Sequence, residues 1–191
     1  MHMGDLPDRS PNQPTELDID ELENDTLYAV LTYSGDFASW NWGFFVPDPA
    51  TPPIGSSGTI FHVVNNPVTD EWKFEVETRD VISWPLVVAV VKLADVKFLG
   101  CNYDELVGKD SLLQIFGTVV IPGKDATHSQ LAEFSSRTWF LDAIFALHDC
   151  GFLQCDDVWL LERELRRCAF KAMEKYSDNR GWTAYKAERC S

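Results

Sequence analysis

Two side chains in this sequence could act as a nucleophile and its base. Ser136 stands at the start of an apolar helical run, Phe134-Ser-Ser-Arg-Thr-Trp-Phe-Leu-Asp-Ala-Ile-Phe-Ala-Leu-His-Asp-Cys-Gly151. His62 stands inside a strand, behind Ile60 and Phe61 and ahead of Val63. A helix start offers free backbone N–H groups and a positive dipole end, and a strand-borne imidazole beside it would complete a site for nucleophilic catalysis. The dipole helps a thiolate more than a hydroxyl, so a serine there depends wholly on a close base. His128, ahead of the helix, is a second candidate base. The plainer alternatives are a helix-capping serine and a hydrogen-bonded strand histidine. Asp156 and Asp157, followed by Glu162 and Glu164, form a second acidic candidate; Asp157 and Glu164 share a helical face. The plainer reading there is an N-cap with first-turn acids, which the helix dipole favours.

Other chemistries find no support. The four histidines, His2, His62, His128 and His148, occur singly, so no metal site is expected. No Gly-rich phosphate loop, nucleophile elbow or dinucleotide fingerprint is present, so no cofactor is expected. The net charge of −14 argues against nucleic acid and anionic membranes as partners, because phosphate binding is driven by Lys and Arg. Arg163, Arg166, Arg167, Lys171 and Lys175 do cluster, as a solvated helix face would. Five scattered cysteines without a Cys-x-x-Cys, and a first segment without a signal-peptide pattern, point to a reduced, cytoplasmic protein. The longest apolar run, Pro85 to Val91, is too short for a bilayer.

The elements that must position these residues are strands first and helices second. Residues 1–24 hold three prolines and seven acidic residues and read as a disordered acidic leader. Residues 25–177 read as one domain and 178–191 as a tail, frayed unless Trp182 and Tyr185 dock back. Strands are expected at Thr26–Tyr33, Trp40–Val46, Thr59–Val64, Trp72–Thr78 and Leu86–Leu93. The fourth alternates Trp72, Phe74 and Val76 against Lys73, Glu75 and Glu77, as a half-exposed antiparallel strand does. A helix is expected over Tyr103–Phe116 with Asn102 as cap. The helix at Ser136 follows, with Ser135 or Ser136 as cap and Gly151 just past its end. A long helix runs from Cys155 or Asp156 to about Tyr176, its seam Val158, Leu161, Leu165, Cys168 and Ala172. The fold class is α+β, a mostly antiparallel sheet of about five strands followed by three helices.

Four stretches carry a family resemblance: Leu27-Tyr-Ala-Val, Asn41-Trp-Gly-Phe-Phe-Val-Pro47, Gly58-Thr-Ile-Phe-His-Val-Val64 and Ser136-Arg-Thr-Trp-Phe-Leu-Asp142. Together they resemble an uncharacterised family of small fungal proteins. That family's pattern is a His-Trp strand ending in Phe-Val-Pro, a Gly-Thr-x-x-His-Val strand and a Cys-x-Thr-Trp helix start. The order is similar to the circularly permuted papain-like fold of lecithin:retinol acyltransferase-like proteins, which implies acyl transfer or amide cleavage by a cysteine. This chain has Asn41 where the pattern has its first His and Ser136 where it has its Cys; only His62 is kept. An Asn cannot serve as a general base and a Ser supplies no thiolate. The grouping also resembles the fungal arginine-containing cyclodipeptide synthases, which use aminoacyl-tRNA and an Asp-Asp-x-x-Glu motif. Asp156-Asp157 is followed by Glu only at 162 and does not match.

The expectation is a protein of fungal secondary metabolism that processes a small molecule or peptide in a pocket between the sheet and the 136–150 helix. If it is an enzyme, it is an acyl-transfer, amide-forming or cyclisation enzyme of a biosynthetic pathway. Asn41, His62 and Ser136 are its candidate catalytic residues. Trp40, Trp42, Phe44, Thr138, Trp139 and Asp142 are expected to line the pocket, since the aromatic surplus exceeds what two strands need for packing. One alternative is a non-catalytic binding protein on a degenerate papain-like scaffold. The other is a tRNA-dependent cyclodipeptide synthase-like enzyme, with tRNA as the single nucleic-acid partner in view. Neither the oligomeric state nor the ligand is legible in the sequence.

Overall fold

The computed structural model describes residues 13–191. Its strands are β1 (Thr15–Leu17), β2 (Thr26–Tyr33), β3 (Trp40–Pro47), β4 (Ser57–Asn66), β5 (Glu71–Asp80), β6 (Val87–Asp95) and β7 (Thr183–Lys186). Its helices are α1 (Tyr103–Val107), α2 (Leu112–Gly117), α3 (His128–Glu133), α4 (Ser136–Asp149) and α5 (Val158–Ser177). The strands form one sheet in the order β1-β7-β6-β2-β3-β4-β5. Every neighbouring pair is antiparallel except β6 and β7, which are parallel because the helical layer lies between them in the chain. The class is therefore α+β with a mixed, largely antiparallel sheet.

The sheet separates two cores. On the helical face, Leu27, Ala29, Leu31, Trp42, Phe44, Phe61 and Val63 pack against Trp139, Phe140, Ile144, Leu161 and Leu165. On the other face Tyr28, Val30, Phe45, Ile60, Val87 and Val90 form a smaller cluster with Leu22 and Val81. β2 is buried on both faces, and so it reads as a near-continuous apolar run rather than an alternating one. The cover of the second face comes from connections. β5 ends at one edge of the sheet and β6 starts several strands inward, so the short link 81–86 crosses this face, with Val81 and Trp84 packed on it. Asp80 holds the link in place: its carboxylate accepts hydrogen bonds from the Ser56 and Ser83 hydroxyls, each at 2.6 Å, and from Ile82 N–H at 3.2 Å.

Three expectations about elements need correction. The segment before residue 25 is not wholly disordered: β1 pairs with β7, and Leu22 is buried with its N–H donating to Gly55 O at 2.7 Å. The part of that leader before residue 13 lies outside the described residues. The segment after Asp178 is not frayed, because β7 lies inside the sheet and Tyr185 is buried. Both strands are short, and their stability comes from partners distant in sequence rather than from local pattern. The helix expected over Tyr103–Phe116 breaks at Gly108, whose backbone is extended at φ −76° and ψ 175°. Its start is as expected: the Asn102 side chain accepts from Glu105 N–H at 3.0 Å and the Glu105 carboxylate accepts from Asn102 N–H at 2.9 Å.

The helix at Ser136 forms as its sequence dictates. Ser135 is the cap: its Oγ accepts from Thr138 N–H at 3.2 Å, and Thr138 Oγ1 accepts from Ser135 N–H at 2.9 Å. Gly151 follows the last turn at φ 74°, a left-handed conformation that a side chain would strain. Its N–H donates to His148 O, and Phe152 N–H donates to Leu147 O. α5 buries the predicted seam of Val158, Leu161, Leu165, Cys168 and Ala172. It also buries Glu162, whose carboxylate lies 2.9 Å from Arg137 Nη1 on α4 and 3.6 Å from Arg166 Nη1 on its own next turn. This pair ties α5 to the first turn of α4, beside Ser136.

Candidate functional site

The three candidate catalytic residues lie along the β3–β4 ladder and the start of α4. That ladder runs from Pro47↔Gly58 to Gly43↔His62 and stops there. Trp42 N–H, next along β3, has no strand partner on that side and donates instead to Ser136 Oγ at 3.2 Å. Ser136 is buried, with 4% exposure. Its hydroxyl therefore completes an interrupted sheet edge, which is a structural task.

His62 faces the other way. Phe44 and Phe61 are partners in the ladder and point to the helical core; Phe45 and Ile60, one step on, point to the second core. Strict alternation then puts Gly43, His62 and Asn41 on the side away from α4. There His62 Nε2 lies 3.0 Å from Glu77 Oε1, although the oxygen sits off the ring N–H direction and no aligned hydrogen bond forms. Glu77 Oε2 in turn accepts from Arg79 Nη2 at 2.7 Å, and the Arg79 guanidinium lies 4.2 Å over the Trp84 ring. Burial pushes the His62 imidazole down in pKa, and the Glu77 and Glu75 carboxylates only partly offset it. Asn41 is exposed on this side and pairs with Thr32 of β2. Among the described residues no hydrogen bond links His62, Asn41 or His128 to Ser136. The structure does not bring the candidate nucleophile and base together, and the sheet alternation is the reason.

The aromatic residues expected to line a pocket fill it instead. Trp42, Phe44 and Trp139 have exposures of 3%, 0% and 0%. Phe44 stacks on Phe140 at 4.3 Å between ring centroids and on Phe116 at 4.7 Å, with Trp139 edge-on at 5.8 Å. Trp42 meets Phe140 at 5.4 Å, and Trp40 is buried against Phe170 at 4.9 Å. These spacings are ring–ring contact and leave no room for a ligand between the sheet and α4. The expected pocket at that place is corrected to a packed core.

Thr138 and Asp142 have a different setting. Both line an open groove of about 590 Å³ beside the first turns of α4, walled by the loop 120–126 and by Glu133 and Phe134 of the α3–α4 junction. Its apolar wall is Val120, Ile121, Pro122, Ala126 and Phe134, and Val120 is 82% exposed. Phe134 is braced from behind by Trp72 of β5, ring to ring at 5.1 Å. Asp125, Glu133, Asp142 and Lys124 all line the groove, so acid outnumbers base. Lys124 itself leans toward Glu71, at 3.8 Å. Desolvation by its surroundings pushes the Asp142 carboxyl up in pKa. In the sequence Pro122-Gly-Lys-Asp125 reads as a plain loop. The signal that could have found the groove is the apolar flank Val119-Val120-Ile121 directly before Pro122-Gly-Lys-Asp125, more hydrophobic than a loop needs.

Among the described residues no three His, Cys, Asp or Glu side chains gather as a metal site, and no helix is long and apolar enough to cross a membrane. No protein-family model matches the chain, and no curated protein or solved structure is significantly similar to it.

If Ser136 is structural, its loss has a definite signature. Ser136→Ala leaves Trp42 N–H buried without a partner and is expected to cost about 1–3 kcal/mol. Urea unfolding checks this. Unchanged stability would mean that the hydroxyl does not serve the sheet.

Proposed function

We propose that this chain is a non-catalytic binding protein whose ligand seats in the groove of Thr138 and Asp142. The ligand class that fits is a small molecule or short peptide with a cationic group on an apolar body. One observation carries this reading: the open apolar wall of Val120, Ile121 and Phe134 converges with the Asp142 and Glu133 carboxylates, whereas His62 and Ser136 are each committed elsewhere. Wall and carboxylates together are the usual composition of a binding site, in a volume range typical of small-molecule pockets. A bound cation would favour the ionised form of Asp142, whose surroundings otherwise resist it.

This reading keeps the papain-like scaffold as a proposal and gives up its nucleophile. What supports the scaffold is a helix that starts where a β3–β4 ladder ends, with Ser136 at the junction. A binding role of this kind suits a biosynthetic pathway in which an amine-bearing intermediate or peptide is held rather than converted. The tRNA-dependent alternative draws no support from the charge: the net charge of −14 opposes a polyanion.

Tryptamine is a suitable probe, with N-acetyltryptamine as its uncharged counterpart. NMR titration of the full chain is expected to move the resonances of Val120–Ala126, Thr138 and Asp142 with tryptamine. Asp142→Asn is expected to weaken that binding by about tenfold, the value of one charge-assisted contact. Equal response to the acetylated probe, or shifts confined to other regions, would refute the assignment.

A further inference from the structure

Cys155 and Cys190 face each other across a short antiparallel bridge that joins the turn before α5 to the segment after β7. The adjacent residues Gln154 and Ser191 exchange both backbone hydrogen bonds, at 2.8 and 3.1 Å. Beside such a hydrogen-bonded pair, antiparallel geometry places a non-hydrogen-bonded pair with Cα atoms about 4.5 Å apart and side chains on one face. A disulfide accepts Cα separations of about 4.4–6.8 Å, so this bridge can close without moving the backbone. Both thiols are free and buried, with 5% and 7% exposure. Contact between them, with the Asp157 N–H adding to it, draws the Cys155 thiol down in pKa and pushes that of Cys190 up. Cys190 also lines a cleft of about 510 Å³ with Lys92, Phe98, Gln154 and Lys186, so one residue of the pair borders open space.

We propose that Cys155 and Cys190 are a redox-active dithiol that hydrogen peroxide closes to a disulfide, fastening the segment after β7 to the α4–α5 turn. The Cys155 thiolate attacks one peroxide oxygen, the O–O bond breaks, and hydroxide leaves; Cys155 becomes a sulfenic acid. The Cys190 thiol then gives up its proton as its sulfur attacks the Cys155 sulfur, the S–O bond breaks, and a second hydroxide leaves as the S–S bond forms. The two thiol protons neutralise the two hydroxides. The sulfur pair loses two electrons, the peroxide gains them, and the products are one disulfide and two waters. A small oxidant fits the burial of both sulfurs better than a bulky disulfide does.

The test uses the full chain carrying Cys101→Ser and Cys150→Ser, which removes the two more accessible thiols and leaves the buried pair untouched. Peroxide is expected to lower the intact mass by about 2 Da, reversibly with dithiothreitol. Peptide mapping without reduction is expected to join Cys155 to Cys190. The oxidised form is expected to melt roughly 10 °C above the reduced form, from the entropy that a long closed loop removes from the unfolded chain. A cross-link through Cys168, a mass gain from sulfinic acid, or thiols unchanged by peroxide would each overturn the proposal. Because oxidised and reduced states of one folded variant are compared, no outcome depends on a cysteine mutant that fails to fold.

Discussion

Phe44→Ala is expected to cost about 3–5 kcal/mol of folding stability. Phe44 is fully buried, and its ring is shared by Phe140 and Phe116 in stacked contact and by Trp139 at its edge. Removing it opens a cavity among these three rings, which have little freedom to close. β3 is bonded on both sides, to β2 and β4, so the backbone cannot sink toward α4. α4 is held from outside by the Arg137–Glu162 pair with α5. A domain of ordinary stability has about 5–15 kcal/mol in total, so the variant is expected to be at or near the limit of folding. Urea denaturation measures the loss, and Phe37→Ala serves as the reference, since Phe37 is 81% exposed. A loss for Phe44→Ala below about 1.5 kcal/mol would mean that the rings can close the gap, and that the space under α4 is adaptable enough to admit a ligand.

The second large effect is expected from Gly58→Ala. A Cβ at this position would lie 2.1 Å from Val46 O and 2.8 Å from both the Phe45 ring and the Pro47 Cα. Two of these three atoms are backbone, and Gly58 is paired on both sides, with Pro47 and Arg79. Neither neighbour can yield without breaking the ladder that sets the register of β4. The cost is expected to be at least about 3 kcal/mol, at the severe end of overpacking. Gly117→Ala is the matched control: its Cβ would meet nothing within 4 Å, and alanine is the better residue at the end of α2. Thermal melts of the two variants should diverge sharply. Equal melting temperatures would show that β3 and β4 separate at this point. The glycine of the Gly-Thr-x-x-His-Val stretch is thus accounted for by close strand approach, with no reference to chemistry.

Much of the fold is legible in the residues. β2 to β6 announce themselves through β-branched and aromatic runs or through alternation, and Pro47 marks the end of β3. The cap at Ser135, the left-handed Gly151 and the seam of α5 are local rules that nothing distant overrides. β1 and β7 escaped because three and four residues carry too little pattern, and their reason for existing is a partner over 160 residues away. Gly108 was overridden in the other direction: the apolar spacing of Leu106, Leu112 and Phe116 suits one helix, but the extended glycine between them splits it.

The candidate site was less legible, for a physical reason that Trp42 and His62 make plain. Composition shows that aromatic rings are abundant but not whether they face each other or a ligand; Trp42, Phe44 and Trp139 face each other. Alternation along β4 does show that His62 points opposite to Phe61 and Val63. It does not show which of those two faces α4 will cover. By itself the sequence determined the kinds of element, their order, most of their ends and the net charge of −14. Tertiary structure alone decided that α4 covers the Phe61 face, leaving His62 with Glu77 and Ser136 with Trp42, because side chains far apart in the chain compete for one buried face and only their combined packing selects it.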